Sequence, residues 1–474
     1  MNVVASNKST TILGNKNGLL KAVGVWAAGA ILLFAALLWM LVTKRDLAQV
    51  ASPGLFLACA VLSAVIARRA HGDLFSPVSL MALGWLGPVV LYSLDLSPTF
   101  LRRLRADTWW IIIGTLVLFN AGCFIATGTL PTDGQSWGLE QRNKERQQTS
   151  KPEAAWRDFV LYAYFVLGLS GWIYRVWALG GLSAIVLLSD EPDFVRWQQL
   201  PRIVGQFPVL LLIVPLLCLV RLEREGFNKQ PKSLWLLAAV CLATSILDTA
   251  RSNIYQIVFV GILFWTLRRG KIRLKTLAAV AACCLLLFGL VSWQRARFAT
   301  GDSINRLSDE VSILRPLALP YIYLTNSLAN LQLNFDEGRG TFDGGGVRTF
   351  MPVLSWLQIY KTNQVGNYVS DFPGGISLYQ ADLWIDFGWT GLLLGPLVLG
   401  LICGRVYRRW RLQGTSFHAM MYAVLAMAVV ASGFVNWFNS SVTWFFLFLI
   451  PPALWRSQDS RVKQVHGSGE ELPA

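Results

Sequence analysis

Charge is in short supply in this chain. Asp, Glu, Lys and Arg make up 15% of the 474 residues, against about a quarter in soluble domains, so an ordinary water-soluble fold is excluded. Histidine is scarcer still, with only His71, His418 and His466. The HExxH, Walker A and GxSxG patterns are absent, which removes the zinc-protease, P-loop and serine-elbow chemistries that those spacings serve. The seven cysteines (Cys59, Cys123, Cys218, Cys241, Cys283, Cys284, Cys403) all fall in apolar runs. There they act as small packing residues and imply neither a disulfide framework nor a thiolate metal site. No stretch alternates apolar and polar residues with a period of two, so an outer-membrane barrel is excluded as well.

What the chain has is length in its hydrophobic runs. Hydrophobic residues reach 54%, gathered in runs of about 16–23 residues, the length that crosses a hydrocarbon core as a helix. Only helices satisfy every backbone hydrogen bond there without water. The expected spans lie near 22–43, 50–67, 74–94, 108–128, 157–178, 203–221, 233–250, 252–267, 275–294, 381–404, 417–435 and 441–455. The first follows Lys16 and Lys21 but lacks a small-residue cleavage site, so it reads as a retained helix. The fold class is an all-α polytopic membrane protein of about twelve transmembrane helices.

The net charge of +15 does not signal nucleic acid, because its placement alternates. Basic residues cluster in every second loop: Arg68 and Arg69; Arg142 to Lys151; Arg221 to Lys232; Arg268 to Lys275; Arg405 to Arg411; Arg456 to Lys463. This positive-inside pattern puts both termini in the cytoplasm. Arg102, Arg103 and Arg105 are the exception on the outer side. They read as a helix-end anchor, with lipid phosphate binding as the other reading.

The chain then divides into an N-terminal bundle over 1–294, a large outer loop over 295–380 between helices 9 and 10, C-terminal helices over 381–455 and a tail over 456–474. The cytoplasmic loop 129–156 is rich in Gln, Lys and Glu and reads as a flexible linker. Residues 311–333 are apolar but carry Arg315, Pro316, Pro320, Asn326 and Asn330. A mid-bilayer charge costs about 2.5–3.5 kcal/mol on insertion scales, so an external, membrane-hugging helix is expected there.

Polar groups gather at the outer ends of the spans. Asp248, Arg251 and Asn253 interrupt two spans in LDTARSNIY. Ionisable groups so close to a bilayer are functional candidates by default; a hairpin closed by an Asp–Arg pair is the structural alternative. Arg295 and Arg297 end the ninth span, as interface anchors or as a phosphate clamp. In the loop, Arg315 precedes Tyr321, Tyr323, Asn326 and Asn330. These can hydrogen-bond or stack on sugars, and packing explains the tyrosines equally well. Asp336, Glu337, Arg339, Asp343 and Arg348 surround a Gly-rich run, as a source of a general base or as solvated loop charges. Asp386 opens the tenth span one turn after Asp382, so the two carboxylates share a face. Buried beside Trp384, Phe387 and Trp389, such a carboxylate must be paired or protonated, and an ion pair to an outer Arg is the structural alternative. All three histidines fall on the cytoplasmic side, so outer chemistry rests on Arg and carboxylates.

Several segments, in this order, resemble the bacterial oligosaccharide repeat unit polymerases of the O-antigen type. They are DLFSPVSLMALGWLGPVVLYSL, LDTARSNIYQIVFVGILFW, PYIYLTNSLANLQ and NYVSDFPGGISLYQADLWIDFGWTGLLLGPLVLGLICGRVYRR. The resemblance implies a GT-C-like, metal-independent membrane glycosyltransferase of the inner membrane that needs no cofactor. It would join undecaprenyl-diphosphate-linked oligosaccharide units at the periplasmic face, with a flippase and a chain-length regulator as partners. The family's Arg maps onto Arg251 and its post-loop Asp onto Asp386; Arg295, Arg297, Arg315 and Arg348 are added from position and chemistry. An O-antigen ligase and a flippase or exporter of lipid-linked sugar are the alternatives. Ligases of that kind are associated with an outer His, which this chain lacks.

Overall fold

The computed structural model describes residues 45–71, 75–93, 104–128, 151–178, 180–181, 204–226, 231–247, 251–269, 318–336, 346–357 and 378–454. The expected spans 22–43 and 275–294 lie outside the described residues, as do loop residues 129–150 and the tail 456–474.

The described elements are all helical. In chain order they are α1 (Arg45–His71), α2 (Pro77–Ser93), α3 (Ala106–Thr127), α4 (Lys151–Ala178), α5 (Leu210–Glu225), α6 (Lys232–Leu247), α7 (Arg251–Arg269), α8 (Ala318–Asp336), α9 (Met351–Trp356), α10 (Tyr379–Gln413), α11 (Ser416–Ala431) and α12 (Ser441–Leu454). Short 3-10 turns at Val204–Val209 and Trp437–Asn439 precede α5 and α12. The first holds Pro208, which cannot donate a helical hydrogen bond. Among the described residues, four segments are long and apolar enough to cross a membrane: Ala51–His71, Ala106–Thr127, Ala155–Ala178 and Tyr379–Gln413. Five shorter apolar helices accompany them. Helix α4 begins at Lys151, inside the stretch expected to be flexible linker.

Among the described residues, two helix pairs approach so closely that only glycine fits between them. A Cβ on Gly122 of α3 would lie 2.2 Å from the Leu397 carbonyl oxygen of α10, and one on Gly400 would lie 2.1 Å from that of Phe119. Gly84 of α2 meets the Val430 carbonyl of α11 in the same way, at 2.1 Å. Interfaces of this kind draw their stability from close packing, because lipid supplies no hydrophobic drive between helices.

The C-terminal ends of α1, α3, α5, α7 and α10 meet at one end of the bundle. His71 contacts the Thr127 hydroxyl through Nε2 at 3.2 Å and stacks on Phe124. Arg268 pairs with Glu223 at 3.1 Å and donates to the Gly414 carbonyl. Arg405, Arg408, Arg409 and Arg411 close α10 at this basic end.

Helix α8 departs from expectation. Its residues Thr325, Asn326, Ser327, Asn330, Gln332 and Asn334 are all buried, and it packs on α2, α3 and α10. It is an interior helix and does not lie along a membrane surface. Thr325 donates to the Tyr321 carbonyl and Asn334 to that of Asn330, both at 2.7 Å. Bonds of this kind within the helix satisfy some of its polar side chains, which lets a polar sequence sit in the interior.

Candidate functional site

The site is built around a break in α10. Leu383 lies eight residues before Gly391 and twelve before Gly395, about 12 and 18 Å along a straight helix. Instead, a Cβ on Gly391 would sit 2.2 Å from the Leu383 carbonyl oxygen, and one on Gly395 would sit 2.5 Å from a Leu383 methyl. The chain reverses at Gly388 (φ 56°, ψ −140°), a backbone conformation that glycine reaches without strain. Residues 379–387 thus form a short helix folded back along the first part of 389–413. The long arm extends about 37 Å, enough to cross a hydrocarbon core. The short arm also meets α3, where Gln380 Nε2 donates to Thr115 Oγ1 at 3.2 Å.

The short arm carries Asp382 and Asp386, both fully buried, and the two have different partners. Asp386 Oδ1 accepts from the Arg348 backbone N–H at 3.2 Å. Its Oδ2 accepts from the Thr349 N–H at 2.6 Å and the Thr349 hydroxyl at 2.7 Å. The carboxylate thus holds backbone donors of the 346–350 turn that leads into α9, and no Arg side chain takes part in these bonds. Asp382 Oδ2 instead accepts from the side-chain amides of Asn436, at 2.5 Å, and Asn439, at 3.1 Å. Asn439 also donates to the Arg348 carbonyl at 2.7 Å. One polar knot therefore joins the α10 short arm, the turn before α9 and the α11–α12 connection.

Beside the knot runs a groove of about 410 Å³. Thr349, Asp382, Asn436 and Asn439 give it polar groups, while Leu394, Val398, Leu399 and Ile402 extend it along the long arm of α10. From Gly391 to Ile402 this wall follows about 16 Å of helix. The Oδ1 atoms of Asn436 and Asn439 are buried acceptors beside the groove with no partner among the described residues.

The other sequence candidates distribute as follows. Arg251 opens α7. That end of α7 reaches the knot through Gln256, whose Nε2 donates to the Ser440 hydroxyl at 3.0 Å, next in sequence to Asn439. Arg348 belongs to the knot through its backbone. Tyr323 and Asn326 lie on α8, with Asn326 buried. Asp336 ends α8, where it pairs with Arg105 at 2.8 Å and accepts from Gln332 Nε2 at 2.9 Å. Gln332 Oε1 in turn accepts from the Arg105 N–H and the Thr108 hydroxyl, so the end of α8 holds the start of α3. Arg105 is thereby an anchor between two helices. Arg295, Arg297, Arg315 and Glu337 lie outside the described residues.

Sequence reasoning missed Asn436, Asn439 and Thr349. A signal for the asparagines existed, because NWFNSS sets six polar or aromatic side chains between two apolar runs at the knot end of α11 and α12. Among the described residues, no group of three or more His, Cys, Asp or Glu is arranged to hold a metal ion. The five described cysteines are buried and free. No family model, curated protein or solved structure matches this chain.

Proposed function

We propose that this chain is a membrane glycosyltransferase that polymerises undecaprenyl-diphosphate-linked oligosaccharide units at the outer face of a bacterial inner membrane. The observation that carries this reading is the groove beside the α10 break. It is a mainly apolar groove on a helix of membrane-spanning length, with a buried carboxylate and two amide side chains in its lining, which suits the hydrocarbon of a lipid-linked sugar. The about twelve spans, the GT-C-like architecture and the cytoplasmic termini belong to the same proposal. The gathering of basic residues at the end opposite the knot supports that orientation.

In the reaction, an acceptor sugar hydroxyl attacks the anomeric carbon of the growing chain. The new C–O bond forms as the C–O bond to the lipid diphosphate breaks, and its electron pair leaves on the diphosphate. The hydroxyl proton passes to Asp382, which lines the groove. Asp386 has a positioning role: it holds the Thr349 turn against the groove. Arg251 is assigned to the departing diphosphate, where a guanidinium pairs with phosphate oxygens and stabilises the developing charge.

The direct test is reconstitution. Purified protein in liposomes, given lipid-linked repeat units, should yield a ladder on a gel. Arg251→Ala should abolish long polymer in cells while lipid-linked single units persist. Normal polymer length from that variant, at normal protein level, sinks the assignment of Arg251.

A further inference from the structure

The long arm of α10 carries its charges at one end only. Arg405, Arg408 and Arg409 are exposed there, and none of them pairs with any described residue. Their neighbour Arg411 is occupied, with its guanidinium 6.0 Å from the centre of the Tyr407 ring. Described carboxylates at this end are occupied too. Glu223 pairs with Arg268 at 3.1 Å, and Arg221 holds both Asp158 and Glu225. Arg405 stands three residues from Arg408 and four from Arg409, spacings at which like charges on a helix repel. An anionic group between them relieves that repulsion, and a guanidinium binds phosphate oxygens through paired donors.

The helix face leading to these arginines is apolar. Leu394, Val398 and Ile402 repeat every four residues, and Arg405 and Arg409 continue the same row. The three apolar side chains are 48 to 54% exposed and belong to the wall of the groove beside the knot. From Leu394 to Arg405 the row is about 16 Å long. One leaflet contributes about 15 Å of hydrocarbon to a bilayer. A cationic end joined to an apolar row one leaflet long fits a molecule that joins phosphate to an acyl chain. An acidic peptide would meet the arginines and leave the row bare.

We propose that this row is a binding site for an anionic phospholipid of the leaflet at the basic end. The phosphate sits on Arg405 and Arg409, with Arg408 beside them, and one acyl chain lies along Ile402, Val398 and Leu394. The groove wall then has two approaches. The phospholipid reaches it from the arginines, and a ligand of the knot reaches it from Asp382. The phospholipid site stands whatever the knot binds, so it does not rest on the polymerase reading.

The test uses the full chain with its seven cysteines replaced by alanine, in phosphatidylcholine vesicles. These carry either brominated phosphatidylglycerol or brominated phosphatidylcholine. A bimane on Ile402→Cys reports contact with brominated chains by quenching. A bimane on Leu83→Cys is the control, because Leu83 is exposed on α2, a helix with no charged residue. At residue 402 phosphatidylglycerol should be preferred about tenfold, as cations near an anionic lipid allow; at residue 83 the two lipids should quench alike. Arg405→Gln combined with Arg409→Gln should abolish the preference. Equal quenching by the two lipids at residue 402 overturns the proposal. So does an equal preference at both reporters, which marks general attraction of the basic end for anionic lipid. A preference that survives the paired Gln variant takes the phosphate off these arginines and overturns it too. The comparison of the two reporters needs no arginine variant, so it decides the matter even where the paired variant fails to insert.

Discussion

Two carboxylates four residues apart have separate tasks here. Asp386 is surrounded by backbone and hydroxyl donors, and Asp382 faces a groove through amides. Conservative substitution separates them. In Asp386→Asn, one carboxylate oxygen becomes a donor and confronts at least one N–H, and a buried donor left unmet costs about 1–3 kcal/mol. That variant should lower the unfolding midpoint in detergent. Asp382→Asn keeps an oxygen for both asparagines, and with the protein inserted at its normal level ladder formation should fall by about 10²-fold or more. A full-rate ladder from Asp382→Asn rules it out as the base. The sequence made Asp386 visible, because it opens a span beside aromatic residues and glycines. It did not reveal that the partners of Asp386 come from residue 348 and 349 backbone, 38 and 37 positions away. Such pairing depends on where two distant segments meet, and no local pattern encodes it.

At the scale of elements, α10 reads in sequence as one long apolar span, because its hydropathy hardly dips. Periodicity and composition report which residues avoid water and are silent on a reversal within an apolar run. The glycines at 388, 391 and 395 were legible as sites of close approach, but the partner proved to be the same helix, folded back. Gly388→Ala tests this. A side chain at φ 56°, ψ −140° costs about 1–3 kcal/mol, and relief of that strain reopens the arm that carries Asp382. The expected outcome is loss of the ladder with protein still inserted; Gly87→Ala, where a Cβ meets nothing within 4 Å, serves as the matched control. Equal activity in the two variants removes the reversal from the functional argument. Helix α8 teaches the complementary lesson. Its asparagines and Pro320 argue against a span, yet burial is possible because other helices and its own carbonyls supply partners in place of water.

At the scale of the molecule, the basic end and the knot end face opposite ways along the bundle. In a background with all seven cysteines replaced by alanine, Asp107→Cys should react with an impermeant maleimide added outside intact cells. Gln413→Cys, exposed at the basic end, should react only after lysis. The reverse result inverts the topology and moves the site to the cytoplasm. The amino-acid sequence by itself determined the solvent of this protein and its helical class, since scarce charge and long apolar runs leave a backbone no other way to bond. It also determined which loops are basic. Only the tertiary structure decided that α10 doubles back, and that Asp386 holds a distant turn while Asp382 lines a groove. The reason is physical: hydrophobic burial is non-directional and can be read residue by residue, whereas a hydrogen-bonded knot exists only where remote donors and acceptors are brought within about 3 Å.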